Sequence, residues 1–217
     1  MQNDKTILIF PWSQKLSNGK ENAKNYPWWP ELVALLKNQG YHIIQVGLKG
    51  DKEIGANEFK INLSLNEIRS LINNVFIFIS IDSFVSHFAH YYNLKPGIII
   101  FSKSDPLIFG YPKNVNLLKN RKYLKQDQFR WWKDEPHDPD AFILPEAILQ
   151  EINKKSQEKS QSKGAAMFCE ICGQVIVLKE MSQVLIKYDK EGEEHVQHVE
   201  CLHKKEADKK TEPNVLE

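Results

Sequence analysis

The chain has 217 residues, enough for one full core and a small second unit. Apolar residues make up 41% of it and charged residues 26%, and the formal net charge is +1. That balance is ordinary for a globular protein and excludes a bulk electrostatic case for nucleic acid or an anionic membrane surface. No apolar run approaches the roughly 20 residues that a membrane-spanning helix needs. The run before Pro11 is too short for a signal-peptide core, and no small-residue cleavage site follows it. A cytoplasmic location is therefore the expectation.

In chain order, Thr6 to Phe10 reads as a buried strand. Trp28 to Gln39 is helical, with Leu32, Leu35 and Leu36 on one face and Gly40 at its stop. Tyr41 to Val46 is a second strand. Leu65 to Ile72 is a short helix with Ser64 as its N-cap. Val75 to Ile79 is the most strand-like segment, rich in Phe, Ile and Val. Asp82 to Asn93 is helical, Gly97 to Phe101 is a strand, and Val115 to Leu118 is a last short one. Pro145 to Ile152 is a closing helix with Pro at its start. Continuous apolar strands separated by helices predict a parallel α/β sheet of five or six strands, covered on both faces. The Ile77 strand should be central, with Asp82 at its carboxyl end. Residues 1–152 form this domain.

The composition then changes. All five Trp precede residue 133, and all three Cys follow residue 168. Residues 153–166 are polar, with no aromatic or β-branched side chain, and read as a linker. Residues 206–217 read as a disordered tail.

Ligands of open parallel sheets bind beyond the carboxyl ends of the strands. Three strand ends carry chemistry. The first strand runs into Pro11-Trp12-Ser13-Gln14-Lys15 and then Lys24-Asn25-Tyr26-Pro27. The strongest strand runs into Asp82-Ser83-Phe84-Val85-Ser86-His87. The next runs into Ser104-Asp105-Pro106, with Phe109-Gly110-Tyr111 beyond. Asp82 and Ser83 stand where a helix begins, so backbone N–H groups and the positive end of the helix dipole face an incoming anion. A diphosphate would be stabilised there. His87 lies one turn on, on the same face as Ser83. The plainer readings are an N-cap for Asp82 and Ser83, a surface lysine for Lys24, and packing for the Trp28-Trp29 pair.

Taken together, these segments resemble glycosyltransferase family nine, which contains the ADP-heptose:lipopolysaccharide heptosyltransferases. Asp82-Ser83-Phe84-Val85-Ser86-His87-Phe88-Ala89 resembles its Asp-Ser/Thr-Gly-x-x-His-x-Ala signature. Lys24-Asn25-Tyr26-Pro27 looks like its Lys-x-Trp-Pro element. Leu63 to Leu71 looks like its Leu-rich helix, and Pro106 to Leu117 like the segment after the next strand in some members. The resemblance covers about residues 5–150. It implies a single Rossmann-like half of a GT-B fold, the donor-binding C-terminal half. It also implies donor contacts from Ser13, Lys24, Asp82, Ser83 and His87. Transfer in such enzymes needs no metal, because helix-end amides and the lysine offset charge on the departing nucleotide diphosphate. Two departures stand out: Phe84 replaces the signature glycine, and the acceptor half with its catalytic base is absent. The implied function is sugar transfer from a nucleotide-diphosphate donor to a glycan or glycolipid, with a separate acceptor-domain protein as partner. The alternative is a non-catalytic binding or scaffold protein with a degenerate transferase domain.

A second signal lies near the end of the chain. Cys169-Glu-Ile-Cys172 and His198-Val-Glu-Cys201 are separated by 25 residues. Two close pairs of such ligands suit a closed tetrahedral zinc site, with His195 and His203 as competing ligands. Val175 to Leu178 and Val184 to Tyr188 read as a hairpin, and His195 to Lys205 as a short helix. This arrangement over 167–205 resembles a treble-clef zinc finger with a structural Zn2+. The other reading of the cysteines is a disulfide or free thiols. Protein–protein contact is the favoured role of this module, ahead of nucleic-acid binding.

Overall fold

A computed structural model of the chain describes residues 3–164 except residue 131, and four strands beyond them, at 167–168, 175–176, 184–188 and 194–198. The chain divides into two compact units, Met1–Asn153 and Lys154–Glu217.

The first unit is built on a six-stranded sheet. Its elements in chain order are β1 (Asn3–Phe10), α1 (Trp29–Asn38), β2 (His42–Gly47), β3 (Glu58–Ile61), α2 (Leu65–Asn74) and β4 (Val75–Ile81), followed by α3 (Phe84–Tyr91), β5 (Ile98–Phe101), α4 (Pro106–Phe109) and β6 (Val115–Leu118). The strand order is β3-β2-β1-β4-β5-β6, with every pairing parallel. The expected parallel sheet is therefore present, and β4 is central in it. The strand order reverses between β1 and β4, the point where doubly wound sheets open a crevice for ligands. The register aligns Phe10 with Ser80. The loop after β1 and Asp82 after β4 thus leave the sheet side by side.

Alternation along β1 explains the two-sided covering. Ile7 and Ile9 face Trp29, Leu32 and Leu36 of α1, together with Ile148 and Ile152 near the end of the unit. Leu8 and Phe10 face Ile68 and Ile72 of α2 and Val85 and Ala89 of α3. Trp29 is fully buried and donates its indole N–H to the Pro11 carbonyl at 3.1 Å, so this tryptophan is packing, as expected. The start of α2 is a capping box in which Ser64 and Glu67 satisfy each other's backbone N–H groups.

Gly97, just before β5, shows how tightly the second face is filled. A Cβ added there would stand 2.4 Å from the ring of Phe78, which is itself buried. Gly97→Ala should therefore cost about 1–3 kcal/mol through overpacking. Urea unfolding followed by tryptophan fluorescence measures this.

Three sequence expectations are corrected. The closing helix, expected to end at Ile152, runs further: α5 spans Pro145–Gly164 as one element, through most of the segment read as a linker. The segment is rich in Lys, Glu and Gln, which are good helix formers. Lys155 and Glu158 also form an i,i+3 ion pair at 3.1 Å. The helix expected from Asp82 to Asn93 is shorter, with Ser83 as N-cap and Tyr92 as C-cap.

The third correction concerns the second unit. Its strands are β7 (Met167–Phe168), β8 (Val175–Ile176), β9 (Val184–Tyr188) and β10 (Glu194–His198). β7 pairs antiparallel with β8, and β9 with β10. The segment expected to pair with 184–188 therefore has a different partner. The start of the expected helix His195 to Lys205 is a strand, favoured by the alternation in Glu194-His-Val-Gln-His198. Cys169, Cys172 and Cys201 lie outside the described residues, as does residue 203.

Candidate functional site

The loop after β1 is fixed by its own polar side chains. The Ser13 backbone N–H and hydroxyl both donate to Asn25 Oδ1, at 3.1 and 2.8 Å. Asn22 donates to the Gln14 carbonyl and accepts from the Lys24 backbone N–H. The buried Ser102 hydroxyl, just past β5, holds the Ala23 carbonyl at 2.9 Å. Tyr26 is buried among Trp28, Trp29 and Phe142 and donates to the Ile143 carbonyl. Burial keeps its hydroxyl protonated far above the ordinary tyrosine range. These anchors deliver Lys24 to the carboxyl end of β4.

There, Lys24 Nζ lies 2.7 Å from Asp82 Oδ2, and the Ser104 hydroxyl donates to the same oxygen at 2.7 Å. The Asp82 side chain is 4% exposed and that of Lys24 19%. An unpaired carboxylate would be costly at such burial, so the pair and the serine satisfy it together. Lys24 and Asp82 stand on the same side of the sheet, as a shared site requires. Ser83 caps α3 through its backbone conformation only, with no side-chain hydrogen bond to the first turn. Its hydroxyl pairs with that of Ser80 at 3.0 Å instead. The start of α3 therefore presents its amides without a side-chain cap.

Ser13, Lys24, Asp82 and Ser83 line one cavity of about 650 Å³. Lys15 and Lys133 add positive charge to its wall, and Asp82 is the only carboxylate among the described residues that line it. A neighbouring cavity of about 610 Å³ shares Trp12, Ser13, Lys15, Ser83 and Phe84 with it. The walls of this second space are mostly apolar, from Phe10, Val46, Leu48, Leu65 and Ile68. Phe84, in the place of the signature glycine, is 53% exposed and stands where the two cavities meet. His87 does not join the group: it is exposed, and its Nδ1 lies 2.7 Å from the Tyr111 hydroxyl, away from the cavity lining.

The sequence reading missed Trp132, in a single 3-10 turn from Trp132 to Asp134. Its ring lines the cavity and lies against two ammonium groups, Lys24 at 4.5 Å and Lys125 at 4.2 Å from the centroid. The carbonyl of Lys133 accepts from Asn18, which ties this turn to the β1 loop. The visible signal was a Trp pair inside a highly charged segment, where an apolar core role is out of place. Ser104 was visible only as part of a strand end.

Two solved structures can be set beside this geometry. One is an E. coli heptosyltransferase, WaaC, with ADP: TM-score 0.50, 16% identity, with 71% of this chain and 45% of that one covered. The sheet-bearing unit shares its fold with part of a heptosyltransferase. The other is a glycosyl transferase family 9 structure from Veillonella parvula: TM-score 0.51, 14% identity, with 70% of this chain and 46% of that one covered. The chain thus spans less than half the length of either structure. No family model matches the chain, and no curated protein matches it. Among the described residues no helix is long and apolar enough to cross a membrane. Also among them, no group of three or more His, Cys, Asp or Glu is placed to hold a metal ion.

Proposed function

We propose that the sheet-bearing unit binds a nucleoside diphosphate sugar and forms the donor half of a glycosyltransferase. The observation that carries this reading is the Lys24–Asp82 pair at the side-chain-uncapped start of α3, at the point where the strand order reverses. Lys24 and the first-turn amides would face the diphosphate, with Ser13 and Ser83 beside it. The apolar cavity past Phe84 suits the nucleobase, which is planar and largely apolar in its faces. Asp82 then acts by holding Lys24 in place. In transfer, the bond from the sugar's anomeric carbon to the diphosphate breaks and an acceptor oxygen bonds to that carbon. The departing diphosphate gains negative charge, which Lys24 and the amides stabilise without a metal. The acceptor's proton needs a base, and Asp82, committed to Lys24 and Ser104, is poorly suited to take it. The base and acceptor site are assigned to a separate acceptor domain. Calorimetric titration with a panel of nucleoside diphosphate sugars tests this reading. Binding of none of them overturns it.

A non-catalytic binding protein is the second reading, supported by Phe84 at the signature position, where a bulky side chain stands in place of glycine. Purified chain that binds a donor but neither hydrolyses nor transfers it, with any acceptor-domain partner, favours this one.

For the second unit we propose structural zinc on Cys169, Cys172, His198 and Cys201. The support is the donor set and its placement. The first cysteine pair falls between β7 and β8 in sequence, and His198 is the last residue of β10, three before Cys201. Elemental analysis should find one zinc per chain, and Cys169→Ser should lower it; protein purified without chelator and free of metal refutes the assignment. Thiols must lose their protons to bind as thiolates, so occupancy should fall as pH drops.

A further inference from the structure

Lys125 is a buried ammonium, 6% exposed, in the segment between β6 and α5. Its backbone N–H donates to the Lys103 carbonyl, and its Nζ donates to the Arg130 carbonyl at 2.6 Å. Its other close neighbour is the face of Trp132. No carboxylate is within ion-pair distance among the described residues; the nearby Glu135 carboxylate pairs with Lys103 at 3.6 Å. Burial pushes the Lys125 ammonium below the ordinary lysine range; the charges of Glu135 and Asp127 oppose that shift, and those of Lys24 and Arg130 add to it. Two ammonium groups on one indole ring, beside a cavity whose described lining carries Lys15, Lys24 and Lys133 against one carboxylate, Asp82, give this end of the site an excess of positive charge. An unpaired buried charge is costly, and a bound anion offsets that cost.

We infer that Lys125 is the second cation of the anion site, held against Trp132 so that the Lys24–Trp132–Lys125 group selects a diphosphate over a single phosphate. Lys125 does not line the cavity; Trp132 and Lys24 do. Lys125 is therefore a positioning residue, acting through its charge across the ring. One phosphoryl group is served by Lys24 and the first-turn amides. The second, farther from those amides, gains from a further positive charge beside the half-buried Trp132. The inference rests on the donor reading and adds a role for the segment between β6 and α5.

The test is calorimetric binding of ADP, GDP, CDP and UDP and of the four matching monophosphates to the full chain. The wild type should prefer a diphosphate to its monophosphate. Lys125→Met should shrink that preference roughly tenfold, or about 1.4 kcal/mol, and leave monophosphate affinity within about twofold. Lys125→Arg should restore it. Trp132→Leu, which removes the shared ring and leaves both lysines in place, should also shrink the preference and keeps the question open to measurement if Lys125→Met does not fold. A preference unchanged in Lys125→Met, or equal losses for mono- and diphosphates, overturns the second-cation role while the donor reading stands. A wild type that binds none of the diphosphates overturns the donor reading and this inference with it.

Discussion

Lys24→Met should weaken nucleoside diphosphate binding by about 1–3 kcal/mol, the range for a lost charge-assisted hydrogen bond. Calorimetry on the wild type's best diphosphate is the measurement. The same change leaves the Asp82 carboxylate, 4% exposed, with Ser104 as its remaining partner. Removing one member of a buried ion pair costs about 3–5 kcal/mol. The expected loss of stability sits below that range, because the Lys24 side chain is 19% exposed and water screens its end of the pair. Unchanged diphosphate binding in a folded Lys24→Met protein would place the anion elsewhere.

Asp82→Leu should lower stability by a comparable amount for the opposite reason: it strands the Lys24 ammonium beside Trp132 with Lys125 on the same ring. Binding should also weaken, since Lys24 loses the contact that fixes it. The double variant, Lys24→Met with Asp82→Leu, separates the two effects. It removes both charges at once, so urea unfolding should recover much of the stability lost in either single variant. Its diphosphate binding should stay as weak as in Lys24→Met alone. Losses of stability that simply add in the double variant would mean that the 2.7 Å pair carries no coupling.

The strands were legible where they carry apolar runs: Ile7 to Phe10 of β1, Val75 to Ile79 of β4 and Ile98 to Phe101 of β5 read as continuous Ile, Leu, Val and Phe. β3 was not, because Glu58-Phe-Lys-Ile61 is a charged edge strand in which half the residues face water. α5 runs past its expected end because the helix propensity of Lys, Glu and Gln carries it on where the apolar face stops. In the second unit the strand pairing depends on contacts between segments that periodicity alone does not assign. The Lys24–Asp82 meeting was legible as two strand ends and follows from the parallel order that places β1 beside β4. Trp132 and Lys125 were not legible. They sit in a segment without regular periodicity, and only tertiary packing brings them to Lys24.

The position of β1 in the sheet constrains how the chain is made. Ile7 pairs with Ile43 on one side and with Ile77 on the other, the second partner lying about seventy residues later. During synthesis at about 5–20 residues per second, β1 waits several seconds for β4 to leave the ribosome. Throughout that interval its Ile-Leu-Ile-Phe run has an open hydrogen-bonding edge on the β4 side, even once β2 has emerged, and that edge is a template for pairing with another nascent chain. Parallel sheets with such distant partners fold slowly, because the loop must close before the pairing is rewarded. High-level expression should therefore yield aggregates that diminish when translation is slowed or a holdase chaperone is supplied.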